Sequence, residues 1–349
     1  VNPEIHYSEI ATYLKCKKNH ELSYIKRIEP RVQHDAISFG TFGHKALEVL
    51  INTGGDALAA KDAVDDLWFE MDKNIMEAEQ REAARELAND ATFVGVRAYN
   101  WLNGRLVTVT HAGERLVEKH LRFTAEGIDF IGTPDWVVHD TQDGGNWVVD
   151  HKFRKIFRDG WSEELNLQMI FYQGLLRKSI GFDTIGTKQF QIRPFAPKQP
   201  KITEKGKISK ADLMTTWEVY SKFVISRGED PNDFLDMKTK LNKHTWFDLD
   251  GTRTYRDPSE VETIWNEVII PTAIDIVKQR QKPTRCYDYM TCRNCSLKDY
   301  CVAETKGADL DFLMATKYKV KGEKIKQFEI EFEEENDSTD PEQEEQAVY

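Results

Sequence analysis

Three side chains in the middle of the chain are of the types, and at the spacing, that metal-assisted attack of water requires. "GTPD" ends at Asp135, and "VVDHK" holds Asp150 and Lys152. In an extended strand residues two apart share a face, so Asp150 and Lys152 point together while Val149 and His151 point the other way. The intervening "DTQDGG" is turn material that would fold the two segments into a hairpin. A register setting His139 against Asn146 also sets Asp135 against Asp150, and directly opposed Cβ atoms lie about 4.5–5.5 Å apart. Carboxylates that close repel unless a positive charge stands between them. A hard divalent ion, Mg²⁺ or Mn²⁺, suits the gap, and Lys152 beside it could orient a hydroxide or stabilise charge on a phosphate. Spacing alone leaves a second reading open, in which these are solvated hairpin acids with an ordinary lysine partner.

A second constellation lies late in the chain. "YDYMTCRNCSLKDYC", residues 287–301, sets Cys292, Cys295 and Cys301 in the pattern C-x2-C-x5-C, with Cys286 just ahead and Cys16 far upstream. Five cysteines, an odd number, suit metal-binding thiols in a reducing compartment better than a disulfide framework. Taken alone, Cys286, Cys292, Cys295 and Cys301 would make a four-cysteine zinc site.

Gly132-Thr-Pro-Asp135 followed by Asp150-His-Lys152 resembles the PD-(D/E)XK nuclease signature, with Asp where many members carry Glu. Two further motifs fall in the order of the RecB-like branch. Upstream, "GTFGH" supplies Gly40-x3-His44 at a helix start. Downstream, "QMIFY" supplies Gln168-x3-Tyr172, whose members, four apart, share a helical face. The resemblance runs from about Ser8 to Cys301. It implies an α/β fold, a central mixed β-sheet flanked by helices (a restriction-endonuclease-like core), with a helical iron–sulfur-bearing region. It also implies site roles: Asp135, Asp150 and His44 as ligands of Mn²⁺ or Mg²⁺, with the backbone carbonyl of His151 as a further ligand. An imidazole beside two carboxylates would suit Mn²⁺ better than Mg²⁺. Lys152 would activate water, and Gln168 and Tyr172 would align the DNA strand.

RecB-like nucleases of the AddB type and related CRISPR-associated exonucleases hold a [4Fe-4S] cluster through one early cysteine and a later C-x2-C-x5-C. By that resemblance Cys16, Cys292, Cys295 and Cys301 would bind a cluster that staples the two ends of the chain together. Zinc is the alternative cofactor, and Cys286 is spare. The implied activity is that of a metal-dependent DNA nuclease, an exonuclease acting on single-stranded or frayed ends, of a phage or prokaryotic kind. The alternatives are a non-catalytic DNA-binding or assembly module of a recombination complex, or a structure-specific endonuclease.

The elements that must position these residues are read from periodicity. Apolar spacing predicts helices over 39–51, 57–76 and 77–102. "ERLVEKHLRF", "IDFIGTPDWVVH" and "NWVVDHKF" read as strands. A helix over 163–180 and a strand over 187–193 follow, then helices over 211–225 and 260–280. The expected organisation is an N-terminal segment (1–38) giving one cluster cysteine, a nuclease core (39–200), a helical region with the cysteine cluster (201–328) and an acidic, disordered tail (329–349). Between them, the Pro- and Lys-rich stretch 194–210 could follow a phosphate backbone or be a solvated loop. Trp161, Arg154 and Arg158 are candidates for stacking and phosphate contact near the cleft. Glu118 and Glu48 are possible further acids, and the ring of His151 is read as ordinary, facing away from Asp150.

Charge excludes little. The formal net charge is −11, but the tail beyond Phe328 is strongly acidic, and the rest of the chain is near neutral, leaving room for a local basic channel to DNA. The tail could bind a protein partner or mimic DNA. No apolar run of membrane-spanning length and no signal pattern is evident, so the expectation is a soluble, cytoplasmic protein. A G-x4-G-K-[ST] loop is also missing, so any unwinding would come from a separate partner.

Overall fold

The computed structural model describes residues 2–31, 35–72, 78–102, 104–157, 164–211, 214–243, 246–278 and 283–322. Trp161, Arg158 and the acidic tail, for which roles were expected, lie outside the described residues.

A short strand, β1 (Glu4–His6), leads into α1 (Tyr7–Lys15) and α2 (Lys17–His20), followed by β2 (Ile28–Pro30). Three helices come next, α3 (Asp35–Thr53), α4 (Ala57–Asp72) and α5 (Ala78–Leu102). The strand region holds β3 (Leu106–Thr108), β4 (Thr110–His111), β5 (Glu114–Arg115), β6 (Leu121–Ala125), β7 (Ile128–Gly132), β8 (Trp136–Asp140) and β9 (Asn146–Phe153). Then come α6 (Leu167–Ile180), β10 (Gly186–Ile192), α7 (Trp217–Ser226), α8 (Leu235–Lys243) and β11 (Phe247–Tyr255). The C-terminal part holds α9 (Pro258–Ile264), α10 (Ile270–Val277), α11 (Tyr289–Arg293), α12 (Lys298–Lys306), α13 (Leu310–Thr316) and β12 (Tyr318–Val320).

The central sheet has the order β11-β10-β9-β8-β3, with β9 and β10 parallel and the other pairs antiparallel. It is the mixed α/β sheet expected. β8 and β9 pair as Trp136↔Val149, Val137↔Val148, Val138↔Trp147 and His139↔Asn146, the expected register. Side-chain alternation sorts the core into two halves. Trp136, Val138, Trp147, Val149 and Phe190 face α3 and α5, against Phe42, Ala46 and Val94. Val137 and Val148 face the opposite way, onto Met169, Phe171 and Leu175 of α6. A sheet so covered on both faces explains why "WVV" in β9 reads as a continuous apolar run rather than an alternating one.

Two glycines let the helices come close enough to serve the site. A Cβ on Gly43 of α3 would lie 2.2 Å from the Phe153 ring, so only glycine lets this helix rest on the end of β9 one residue before His44. A Cβ on Gly132 would lie 2.9 Å from Leu175 and 3.0 Å from Phe171, which brings α6 down onto β7. Asn166 caps α6, its side chain accepting the Gln168 N–H, and Gly181 ends the helix in the left-handed conformation (φ 68°).

The structure corrects several boundaries. α6 begins at Leu167, after the Asn166 cap, and α7 at Trp217, where Thr216 accepts the Val219 N–H. The helix expected over 260–280 is two helices joined by a π-turn at Trp265–Ile269, with Trp265 wholly buried against Gly174. β1 and β11 were not expected as strands. β1 pairs in parallel with β7, and β11 adds the antiparallel edge of the central sheet from beyond residue 200. Among the described residues, no helix is long and apolar enough to cross a membrane.

Candidate active site

Asp150 and Lys152 emerge together from β9 on the α6 side, as strand alternation requires. Lys152 Nζ donates to Asp150 Oδ1 at 2.7 Å and to Gln168 Oε1 at 3.3 Å, and Gln168 Nε2 donates to Tyr172 OH at 3.4 Å. One turn of α6 thus places both members of the Gln-x3-Tyr pair on the same line. The other oxygen of Asp150 accepts from Gln189 Nε2 at 3.2 Å. Gln189 sits directly beside Asp150 in the parallel β9–β10 register. The Asp150 side chain is 2% exposed. A buried carboxylate left unpaired would cost several kcal/mol, so the lysine and the amide are what make its burial tolerable.

Asp135 sits at a bend just ahead of the first paired residue of β8. Its side chain is therefore not bound by the alternation of the strand and reaches over the strand end. Asp135 Oδ2 accepts the backbone N–H of His151 at 2.7 Å. The same oxygen lies 3.3 Å from His44 Nδ1 and 3.5 Å from His151 Nδ1. His44, Asp135 and His151 each offer one ligand atom, all within 4.8 Å of one another. The His151 ring does lie on the side of β9 away from Asp150, but it is not the ordinary ring expected.

Glu118 completes the acidic surroundings. Its Oε1 is 3.9 Å from His44 Nδ1. Its backbone is left-handed (φ 45°), and its N–H donates to the Asp135 carbonyl at 3.0 Å. A non-glycine residue held there carries strain of order 1 kcal/mol, which here aims a carboxyl at the site. Glu48, one turn beyond His44, is paired with Lys45 at 3.0 Å.

Electrostatics divide the acids. Burial, reinforced by Asp135 and only partly opposed by Lys152, raises the Asp150 pKa. Burial also works to raise that of Asp135, but His44 and the hydrogen bonds and charge of His151 outweigh it and hold this carboxyl low. Burial, with Asp135 and Glu48 adding to it, pushes Glu118 up to about 8. Burial lowers the His44 pKa against the pull of Asp135, which favours the neutral imidazole that a metal ligand must be. One carboxylate held ionised, a second poised to lose its proton and a neutral imidazole form a donor set that fits a divalent cation.

Sequence reasoning missed three residues here. The His151 ring reads as ordinary in the sequence because no partner stands at ligand spacing from it, whereas the fold brings Asp135 to 3.5 Å. Gln189 enters only through a parallel pairing with a strand 39 residues away. Tyr7, at the start of α1, packs on Phe171 with ring centroids 6.1 Å apart. Its pKa is raised first by burial and then by Asp150. Arg154 is directed to Gln191 at 3.3 Å.

The five cysteines line one cavity of about 480 Å³ between α1 and the segment 285–305, together with Arg285 and Tyr287. Cys16 Sγ accepts the Cys286 and Asn19 N–H groups, each at 3.4 Å, and Cys292 Sγ donates to the Cys286 carbonyl at 2.9 Å. The thiols do not form a tight cluster: among the described residues, no three come within 4.8 Å of one another. Burial and neighbouring sulfurs raise the pKa of Cys292, and burial that of Cys295. Arg285, in the same cavity as Cys301, donates from Nη2 to Glu304 Oε2 at 2.6 Å, and its buried Nε has no hydrogen-bond partner.

A family model for the PD-(D/E)XK nuclease superfamily matches residues 5–302. No curated protein matches the chain.

Proposed function

The chain belongs to the PD-(D/E)XK nuclease superfamily, and from that footing we propose that it is a DNA exonuclease acting on single-stranded or frayed ends. The observation that carries the reading is the pairing of Asp150 with Lys152 and Gln168 on β9 and, at the start of β8 beside it, of Asp135 with His44 and the His151 N–H.

His44, Asp135, Asp150 and the backbone carbonyl of His151 would hold the divalent ion, Mn²⁺ or Mg²⁺. When bound, the cation supplies Lewis acidity toward the phosphate and its attacking water. The chain's own residues do the rest. Lys152 spends two of its three donors on Asp150 and Gln168, which fixes the ammonium and leaves one N–H for the attacking water or a phosphate oxygen. Gln168, held between Lys152 and Tyr172, keeps that N–H in line, and Tyr172 offers its hydroxyl to the strand. Asp135 and Asp150 are 12% and 2% exposed. A phosphodiester must therefore come down to recessed carboxylates, which a flexible single strand does more readily than a stiff duplex.

The cofactor reading is a [4Fe-4S] cluster on Cys16, Cys292, Cys295 and Cys301. The cavity shared by these thiols supports it, as does Arg285, a cation beside Cys301 with a spare donor. The presence of Cys16 in the same cavity favours the cluster over zinc, since a zinc site on Cys286, Cys292, Cys295 and Cys301 would need nothing from the first helices.

Digestion of 5′-labelled, 3′-labelled and circular single strands with Mn²⁺ or Mg²⁺ tests the activity. Progressive shortening of linear strands with the circle intact is expected. Cleavage of the circle would make the protein an endonuclease.

A further inference from the structure

We propose that the imidazole of His151 is itself a metal ligand. With His44 and Asp135 it would make a two-histidine, one-carboxylate site that selects first-row transition ions such as Mn²⁺ over Mg²⁺. The activity proposed above needs only the backbone carbonyl of this residue, so the ring is a separate claim about the same cleft.

The distances carry the argument. His44 Nδ1 and His151 Nδ1 stand 3.3 and 3.5 Å from one oxygen, Asp135 Oδ2. These are long for N–H···O bonds, which cluster near 2.9–3.0 Å (roughly). They match the separation of neighbouring donors around one cation, since bonds of about 2.1 Å at angles of 90–110° put the donors roughly 3.0–3.5 Å apart. The two rings lie 6.3 Å apart at 72°, so their nitrogens converge without the rings colliding.

The ring's second nitrogen, Nε2, is buried without a hydrogen-bond partner, so the polar contact of this imidazole with the cleft is made through Nδ1 alone. The ring is also held in place. It is 2% exposed, Trp136 stacks on it at 6.2 Å and 18°, and Phe190 lies 5.9 Å away. A ligand locked by packing loses little freedom on binding.

The donor chemistry sets the selectivity. Mg²⁺ prefers oxygen ligands and keeps its waters, whereas imidazoles suit first-row transition ions.

The test uses the full-length protein and measures binding. Free Mn²⁺ is titrated by electron paramagnetic resonance, and Mg²⁺ by competition, in wild type and in His151→Phe, which keeps the aromatic stack and the carbonyl. The expected result is that Mn²⁺ affinity falls by at least about tenfold while Mg²⁺ affinity changes less than about threefold. Unchanged Mn²⁺ affinity in folded His151→Phe would overturn the proposal. Pulsed resonance on wild type with Mn²⁺ bound needs no variant: couplings from two imidazole nitrogens support the site, and coupling from one sinks it. Two nitrogens without DNA cleavage would remove the nuclease reading and keep the site. Cleavage with one nitrogen would do the reverse.

Discussion

Asp150, Lys152 and Glu118 are where single atoms decide the outcome. Lys152→Met should lower cleavage by about two to three orders of magnitude, the usual loss when a charge-stabilising donor is removed. The fold should be kept, as judged by circular dichroism, at a lower thermal midpoint, because buried Asp150 loses its lysine. Glu118 gives a pH signature. Its pKa in the folded protein, about 8, lies above the ordinary carboxyl value. The folded state thus holds a proton that the unfolded state has lost, and stability falls as pH rises from about 4.3 to about 8. Glu118→Gln mimics the protonated form. In metal-free buffer it should match wild type near pH 4 and exceed it above pH 8 by roughly 2 kcal/mol, less than full linkage because the carboxyl is partly wet. Thermal midpoints across that range measure the difference, and equal midpoints at high pH would refute the assignment. At this scale the D-x-K face was legible, because strand alternation is local. The His151 ring was not, because Asp135 sits one residue outside the ladder and escapes its geometry.

Helix α3 reaches the site only because residue 43 lacks a side chain. Gly43→Ala would place a Cβ 2.2 Å from Phe153 Cζ, and the helix or the ring must move. The expected cost is about 1–3 kcal/mol of stability, with weaker Mn²⁺ binding as His44 is displaced. Adding Phe153→Leu should recover part of both, whereas no change on Gly43→Ala would show that α3 is not braced there. Elsewhere on the same face of the sheet Lys188, wholly buried, is clamped between Asp140 and Asp143 over the Trp147 ring. Lys188→Met leaves buried Asp140 with Arg105 at 3.4 Å and two turn N–H groups, and Asp143 with Arg253 at 2.9 Å, so the loss should be about 1–3 kcal/mol in denaturant unfolding. Helices with regular apolar spacing were legible from sequence to within a few residues at their ends. β11 was not: "FDLDGTRTY" reads as turn-rich and polar, and it becomes a strand because β10 offers it an open edge. The break at Trp265 was equally hidden, since its cause is Gly174 on a distant helix.

At the scale of the molecule, Cys16 and the segment 286–301 meet in one cavity, so the first helices and the last come together at the cysteines. Anaerobically purified protein should be brown, and Cys16→Ser should lose the colour and unfold at a lower temperature. Colourless protein with stoichiometric zinc would replace the cluster by a zinc site. The meeting of the chain ends was expected from a resemblance, and no local pattern could have supplied it. The central claim rests elsewhere, on Asp135 and Asp150 flanking the end of one strand to cut DNA. The most direct measurement incubates a 5′-labelled single strand with full-length wild type and with Asp150→Asn in Mn²⁺, after both are shown to be folded. Wild type should shorten the strand and Asp150→Asn should leave it whole. An intact strand with wild type, or equal rates with the two proteins, would contradict the account.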